Sequence, residues 1–183
     1  MKSCVLHLRM LLAAVFLMAA VVTAFAFGSN SSIVNRTGVS KMDKTFASAA
    51  ARGLMRDVLL AQLATQRAQA QDVRRFAEAL FQRRVEARAR LYRLARNSRL
   101  ILPKRMNAEQ RRQLHQLQQL SGREFDRRFL SLIADADFPN LFQFEIRSGA
   151  LRVDPEVERY AREQLSILRR DMQKARSLAD AYG

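Results

Sequence analysis

The sequence predicts an all-α fold: an antiparallel four-helix bundle with one extra short helix in the crossover between the second and third long helices. Three observations carry this. Four long stretches place apolar residues at three- and four-residue steps, the spacing that lines one face of an α-helix. Residues that start and stop helices punctuate those stretches. No stretch alternates apolar and polar with the period of two that a half-buried strand needs. Amphipathic helices joined by short links pack as antiparallel neighbours.

The first long helix is expected over residues 43–70. Phe46, Ala50, Gly53, Leu54, Val58, Leu60, Ala61 and Ala64 line one face, and Asp57 shares it. Small residues dominate its first half, so another helix can approach closely there. The second is expected over 72–96, with Asp72 as N-cap. Its stripe is Val73, Phe76, Ala77, Leu80, Ala87, Leu91 and Leu94, and Arg84 falls on it. Leu100-Ile101-Leu102-Pro103 is an apolar loop, expected to pack over one end of the fold. Asn107 opens the short helix to about 120, with Leu114, Leu117 and Leu120 facing inward. His115, set among Gln and Arg, reads as a surface residue and not a ligand.

The third long helix, 121–148, carries the strongest signals. Ser121 and Glu124 have the spacing of a capping box. Asp126 is placed in the first turn, where the helix dipole favours a negative charge. Phe129, Leu130, Ile133, Leu141 and Phe144 make the stripe, with Asp137 in its middle. Pro139 removes a backbone hydrogen bond, so a kink is expected near Asp135. Gly149 suits the C-terminal cap. Asp154-Pro155 starts the fourth helix, to about 180. Val157, Ala161, Leu165, Leu168, Met172, Ala175 and Leu178 face inward, with Asp171 at the stripe's edge.

Ahead of these helices lies a different kind of segment. Lys2 and Arg9 precede an unbroken apolar run over 10–27, which ends in Ala24-Phe25-Ala26. That is the pattern of a secretory signal peptide cleaved after Ala26. The alternative is an uncleaved inner-membrane anchor with the domain facing the periplasm. The organisation is therefore a signal peptide at 1–26, a flexible linker at 27–42 and a helical domain at 43–183. The linker is rich in Ser, Asn and Gly. Its two N-x-S/T sequons, at Asn30 and Asn35, matter only in a host that glycosylates. Cys4 is the only cysteine and lies in the leader, so the exported domain relies on packing and not on disulfides.

Loss of Lys2 and Arg9 with the leader takes the formal charge from +15 to +13. A basic envelope protein is attracted to anionic lipid headgroups and other polyanions. The plainer reading is a solvated helix surface in an arginine-rich chain, because the arginines spread along every helix. Nucleic acid is not expected as a partner: no reader motif is present and there is no tryptophan.

Each long helix carries one charged residue near the middle of its apolar stripe: Asp57, Arg84, Asp137 and Asp171. In an antiparallel bundle, mid-helix positions on all four elements share one layer, so these four can meet inside. A buried arginine is tolerable only where its fork meets carboxylates. Three aspartates against one arginine leave excess negative charge. Protonation, solvent or one of Arg83, Arg169 and Arg170 has to resolve it, and Asp171 is expected to be the most exposed. Asp135 and Asp137 are two apart on a helix and do not form an acid/base pair. With no cysteine and one histidine after the leader, no nucleophile triad is available. No glycine-rich phosphate loop is present.

Gly53-Leu54-Met55-Arg56-Asp57-Val58-Leu59-Leu60-Ala61-Gln62-Leu63-Ala64, then Val73-Arg74-Arg75-Phe76-Ala77, then Leu102-Pro103 carry a family resemblance. Leu120-Ser121-Gly122 with Phe125-Asp126-Arg127 is the most specific piece. Over residues 43–178 the chain resembles the bacterial exported domain-of-unknown-function family 4142, placed with the ferritin-like helical bundles. The resemblance implies a polar set projecting into the bundle, with Glu where Asp57 stands and histidine where Arg84, Asp137 and Asp171 stand. Here those histidines are gone. A transition-metal site is not expected, because imidazole is the common ligand for zinc, copper and iron. Three aspartates suit a hard cation such as magnesium or calcium, but Arg84 in their layer repels one.

These readings converge on an exported periplasmic bundle with no catalytic residues and no cofactor. Its role is structural or binding, with an unidentified envelope partner. The rivals are a metal-binding ferritin-like protein and a peripheral binder of anionic membrane or envelope polyanions. Mass spectrometry of protein exported by the native host should show Phe27 as the first residue. A product that retains residues 10–27 and pellets with membranes would make the run an anchor.

Overall fold

Ser40 and Asp43 open the first helix. The Ser40 hydroxyl accepts from the Asp43 N–H and the Asp43 carboxylate accepts from the Ser40 N–H, both at 3.1 Å. This is a capping box with aspartate as its acidic member. The structure is a computed structural model that describes residues 39–135, 138–149 and 154–182, with side chains omitted at 138–142. The leader and most of the linker lie outside the described residues.

Six helices follow, with no strand among the described residues: α1 (Lys41–Arg67), α2 (Gln71–Asn97), α3 (Ala108–Gln118), α4 (Gly122–Ala134), α5 (Phe138–Gly149) and α6 (Pro155–Ala181). Asn107 and Gln110 form a second capping box on α3. Asp154 accepts from the Glu156 and Val157 N–H groups at the head of α6. α1 packs along α2, and α6 packs on α5, α4 and α2. The remaining contacts of α1 are with α3, α4 and α5.

Four local expectations need correction. The third long helix is not one kinked rod but two helices, α4 and α5, with Asp135 closing the first. Pro139 is the second residue of α5, where its missing N–H would have had no partner inside the helix. Asp72 is not an N-cap: α2 starts at Gln71 behind Ala70, with no side-chain cap of its own. Ser121 makes no capping hydrogen bond. The chain enters α4 through Gly122 at φ 61°, a left-handed turn that glycine adopts without strain. Lastly, Asp126 belongs to the second turn of α4 and is buried, facing away from the dipole position assigned to it.

Asp126 does something else. Its Oδ1 accepts from the Gln69 N–H at 3.0 Å and its Oδ2 from the Ala70 N–H at 2.8 Å. A carboxylate of α4 thus satisfies backbone donors at the corner between α1 and α2, which has no cap of its own. Gly122 is favoured here by its φ more than by space: a Cβ there would lie 3.3 Å from the Oε1 of the exposed Gln69 side chain, which can shift. Arg67, from the last turn of α1, donates to the carbonyls of Gln118 and Leu120 at 2.6 and 2.8 Å. Its guanidinium lies 5.6 Å from the centre of the Phe125 ring.

The core falls into two apolar clusters. One gathers Leu60, Ala61 and Ala64 of α1 with Val73, Phe76 and Leu80 of α2, Phe125, Phe129 and Leu130 of α4, and Ala175 and Leu178 of α6. The other gathers Phe46, Ala50 and Leu54 of α1 with Ala87, Leu91 and Leu94 of α2, Phe144 of α5, and Val157, Tyr160 and Leu165 of α6. Phe46 meets Phe144 edge to face, with ring centres 4.8 Å apart. The apolar loop only partly covers its end. Leu100 is buried and Leu102 packs on the second cluster, but Ile101 is 93% exposed.

Asp126→Ala should lower the unfolding free energy by about 1–2 kcal/mol, because it removes the acceptor of two half-buried backbone donors. Asp126→Asn, which keeps one acceptor oxygen, should recover part of that loss. Urea denaturation measures both, and an unchanged midpoint for Asp126→Ala would mean the corner holds without this cap.

Candidate functional site

Between the two apolar clusters lies one polar layer. Asp57 follows Leu54 and precedes Leu60 on α1. Arg84 lies between Leu80 and Ala87 on α2, and Asp171 lies between Leu168 and Ala175 on α6. Helical phase turns all three inward at one level. Arg84 heads the largest fully buried side chains, at 2% exposure. Its Nε donates to Asp57 Oδ2 at 2.9 Å and its Nη1 to Asp171 Oδ2 at 2.8 Å. One guanidinium therefore ties α2 to both α1 and α6.

Two further arginines join the layer. Arg56 is buried and donates to Asp57 Oδ1 from Nε at 3.1 Å and Nη2 at 2.7 Å. Arg83 reaches in from the surface, its Nη2 2.7 Å from Asp171 Oδ1 and its Nε 3.4 Å from Oδ2. Every carboxylate oxygen of Asp57 and Asp171 thus faces a guanidinium donor. Burial by itself would raise the Asp57 carboxyl, but the charges and hydrogen bonds of Arg56 and Arg84 outweigh it and hold it below its ordinary range. Nearby, Tyr160 donates to the Ala87 carbonyl at 3.3 Å. Burial pushes its phenol well above the ordinary tyrosine value.

Three of the four residues named from the sequence meet here, and the fourth, Asp137, lies outside the described residues. The expectation that Asp171 would be the most exposed fails, for it is 2% exposed. Its place at the stripe's edge turns it toward α2, where Arg83 and Arg84 take both its oxygens. The charge imbalance is relieved in one of the expected ways, by Arg83 reaching in, and Arg56 adds a cation that was not expected, while Arg169 pairs with Glu145 and Arg170 is exposed. Sequence reasoning missed Arg56, because neighbours at i and i+1 do not normally face each other on a helix. It also missed a second buried pair, Arg147 Nη1 to Asp43 Oδ1 at 2.9 Å. A signal existed there, since Asp43 is three residues before Phe46 on the inward face of α1.

Beside the layer is a cavity of about 20 Å³ bordered by Gly53, Asp57, Arg84, Tyr160 and Gln164, with apolar walls. That is room for about one water. Among the described residues no three His, Cys, Asp or Glu side chains gather as metal ligands. His115 is exposed on α3.

Residues 29–178 match the family described as Domain of unknown function (DUF4142). The chain belongs to this family. No curated protein matches it. Among solved structures it is similar to a DUF305 fragment from Deinococcus radiodurans. The two share 17% identity at a TM-score of 0.66, over 79% of this chain and 99% of that one. It is also similar to a DUF305 protein from Streptomyces coelicolor, described as a candidate secreted protein. There the identity is 17% and the TM-score 0.65, over 78% of this chain and 94% of that one. At such identity these likenesses speak for the fold alone. In this DUF4142 chain, Gly122 supplies the left-handed turn into α4 and Asp126 closes the α1–α2 corner.

Arg84→Ala should lower stability at neutral pH by roughly 3–5 kcal/mol, because it leaves buried carboxylates short of a partner. Asp57 has a folded pKa below its ordinary value of 3.8. Its contribution is therefore present above that value and is lost as pH falls through the folded pKa. Thermal melts should show little pH dependence from this group between neutrality and about pH 4, then a decline. The deficit of Arg84→Ala should shrink over the same acid range. A variant that melts like the parent at neutral pH would remove the structural role of Arg84.

Proposed function

We propose that this DUF4142 chain is an exported periplasmic protein with a structural or binding role in the cell envelope, and not an enzyme. Its architecture is a ferritin-like antiparallel four-helix bundle, with α1, α2 and α6 as three members. α4 and α5 together form the fourth, broken member, and α3 lies in the crossover. Arg176 of α6 donates to the Ala134 carbonyl at the end of α4, and Arg169 pairs with Glu145 of α5. These contacts favour both helices lying along α6. Export is supported by the leader pattern and by the description of the Streptomyces neighbour.

The observation that carries the reading is the position of Arg84. Ferritin-like bundles place metal ligands where facing helices project side chains inward. Here that level holds a guanidinium, which cannot ligate a cation and which occupies carboxylate oxygens a cation would need. The adjoining cavity has room for about one water and none for a substrate. We therefore read the layer as a strut between helices.

The test is elemental analysis of protein exported by the native host and purified without a histidine tag. The expected result is less than one equivalent of any divalent or transition metal, unchanged in Asp57→Asn. A full equivalent that survives dialysis and is lost in Asp57→Asn would replace this reading with the metal-binding one.

A further inference from the structure

We propose that the end of the fold where the chain enters at Val39 docks on an anionic bilayer surface. The two most exposed large apolar side chains among the described residues are Ile101, at 93%, and Met42, at 57%. Both belong to this end. Leu100 shares a core cluster with Phe46 and Ala47, and Val39 and Leu102 pack against it. The Met42 sulfur lies 3.7 Å from Nη2 of Arg147, whose Nη1 binds Asp43. Ile101 is held outward by its neighbours: Leu100 is buried, and its N–H donates to the Ala95 carbonyl at 2.7 Å.

Charge surrounds these apolar tips. Lys41, Lys44, Arg96 and Arg99 are exposed at the same end, and exposed Lys104 and Arg105 follow Leu102 in the loop that leaves it. The carboxylates there are largely engaged. Asp43 is buried against Arg147, Asp154 caps α6 and Glu158 pairs with Arg162. Among the described residues, Asp154, which bonds only backbone N–H groups, and Glu156 are left to oppose these cations. Apolar side chains that enter the headgroup boundary, surrounded by Lys and Arg that reach phosphates, are the physical recipe for peripheral binding. The long basic stems can lie on the apolar surface while their heads stay wet.

Chain connectivity selects the same end. The apolar run over 10–27 joins the fold at Val39 through residues 28–38, which reach at most about 40 Å when extended. A run retained as a membrane anchor, the uncleaved alternative, would keep this end near the bilayer, and only this connectivity argument rests on that alternative. A second copy of the chain is disfavoured as occupant, because it would bring six more cations against these six.

The test uses the full chain with Cys4→Ser, labelled through Ile101→Cys with an environment-sensitive fluorophore. A control carries the label through Gln119→Cys, in the exposed turn after α3 at the other end. Each is reconstituted in phosphatidylcholine vesicles with and without phosphatidylglycerol, so the leader tethers the chain equally in both. The expected result is a blue shift and weaker acrylamide quenching at position 101 in the anionic vesicles only. High salt should reverse it, as should Lys104→Glu combined with Arg105→Glu. Equal signals in both vesicle types would overturn the proposal, as would equal signals at 101 and 119. A shift at 101 without vesicles would also overturn it, by making a second copy the occupant. None of these readouts depends on whether the leader is cleaved, which the mass of the exported protein decides separately.

Discussion

Arg84 holds Asp57 with one nitrogen and Asp171 with another, at 2.9 and 2.8 Å, in a place water barely reaches. Taking three charges out of water costs several kcal/mol per ion, and the attraction between them offsets this only if every donor and acceptor is matched. The surrounding structure meets that condition. Arg56 fills the free oxygen of Asp57, and Arg83 fills that of Asp171. In doing so the layer fixes the rotation of α1, α2 and α6 about their own axes. Turning any of them by a residue would carry a charge into one of the apolar clusters. The clusters above and below can then be built from interchangeable Ala, Leu and Phe. Volume is enough to hold them, while the layer sets register.

Much of this was legible in the sequence because helical phase is a strong signal. Phe46 through Ala64, Val73 through Leu94 and Val157 through Leu178 each gave a stripe, and each stripe faces the core. Asp57, Arg84 and Asp171 were found as interruptions of those stripes. The same logic misjudged Asp171, since a residue at a stripe's edge faces a neighbouring helix or solvent depending on where that neighbour lies. Phase does not contain that information. Arg56 was invisible for a related reason: it curls back on its own neighbour Asp57, a contact that helical spacing does not suggest.

Helix ends were read less well, and the failures share a cause. Asp72 and Ser121 are residue types that cap helices locally, and both were assigned that role. In the fold, the donors at the α1–α2 corner are satisfied from a distant part of the chain, by Asp126. Ser121 is left without a capping bond because Gly122 bends the backbone away. Ser40, by contrast, has no competing partner, and its local box forms. A capping motif states what a segment can do alone. Where helices meet at a tight corner, tertiary contacts decide which of the available oxygens is used.

The identity of the central cation bears on what such a bundle can do. A metal ion held by imidazole and carboxylate exchanges ligands, responds to pH through its histidines and leaves coordination sites open. A guanidinium stays charged throughout the range in which proteins fold, and its donors point in a fixed fork. Arg56 and Arg84 hold Asp57 ionised well into acid, so this carboxylate does not titrate near neutrality. The layer's oxygens are taken and its cavity is the size of a water. On the proposed reading, the interior serves to position helices and recognition is left to the surface. There the composition is anything but neutral: a chain with formal charge +15 carries most of that excess as exposed arginine. Arg56, Arg84 and Arg147 are turned inward against aspartate, while Arg67 and Arg176 bond carbonyls of neighbouring helices. The exposed arginines outside such contacts leave their charge to meet something outside.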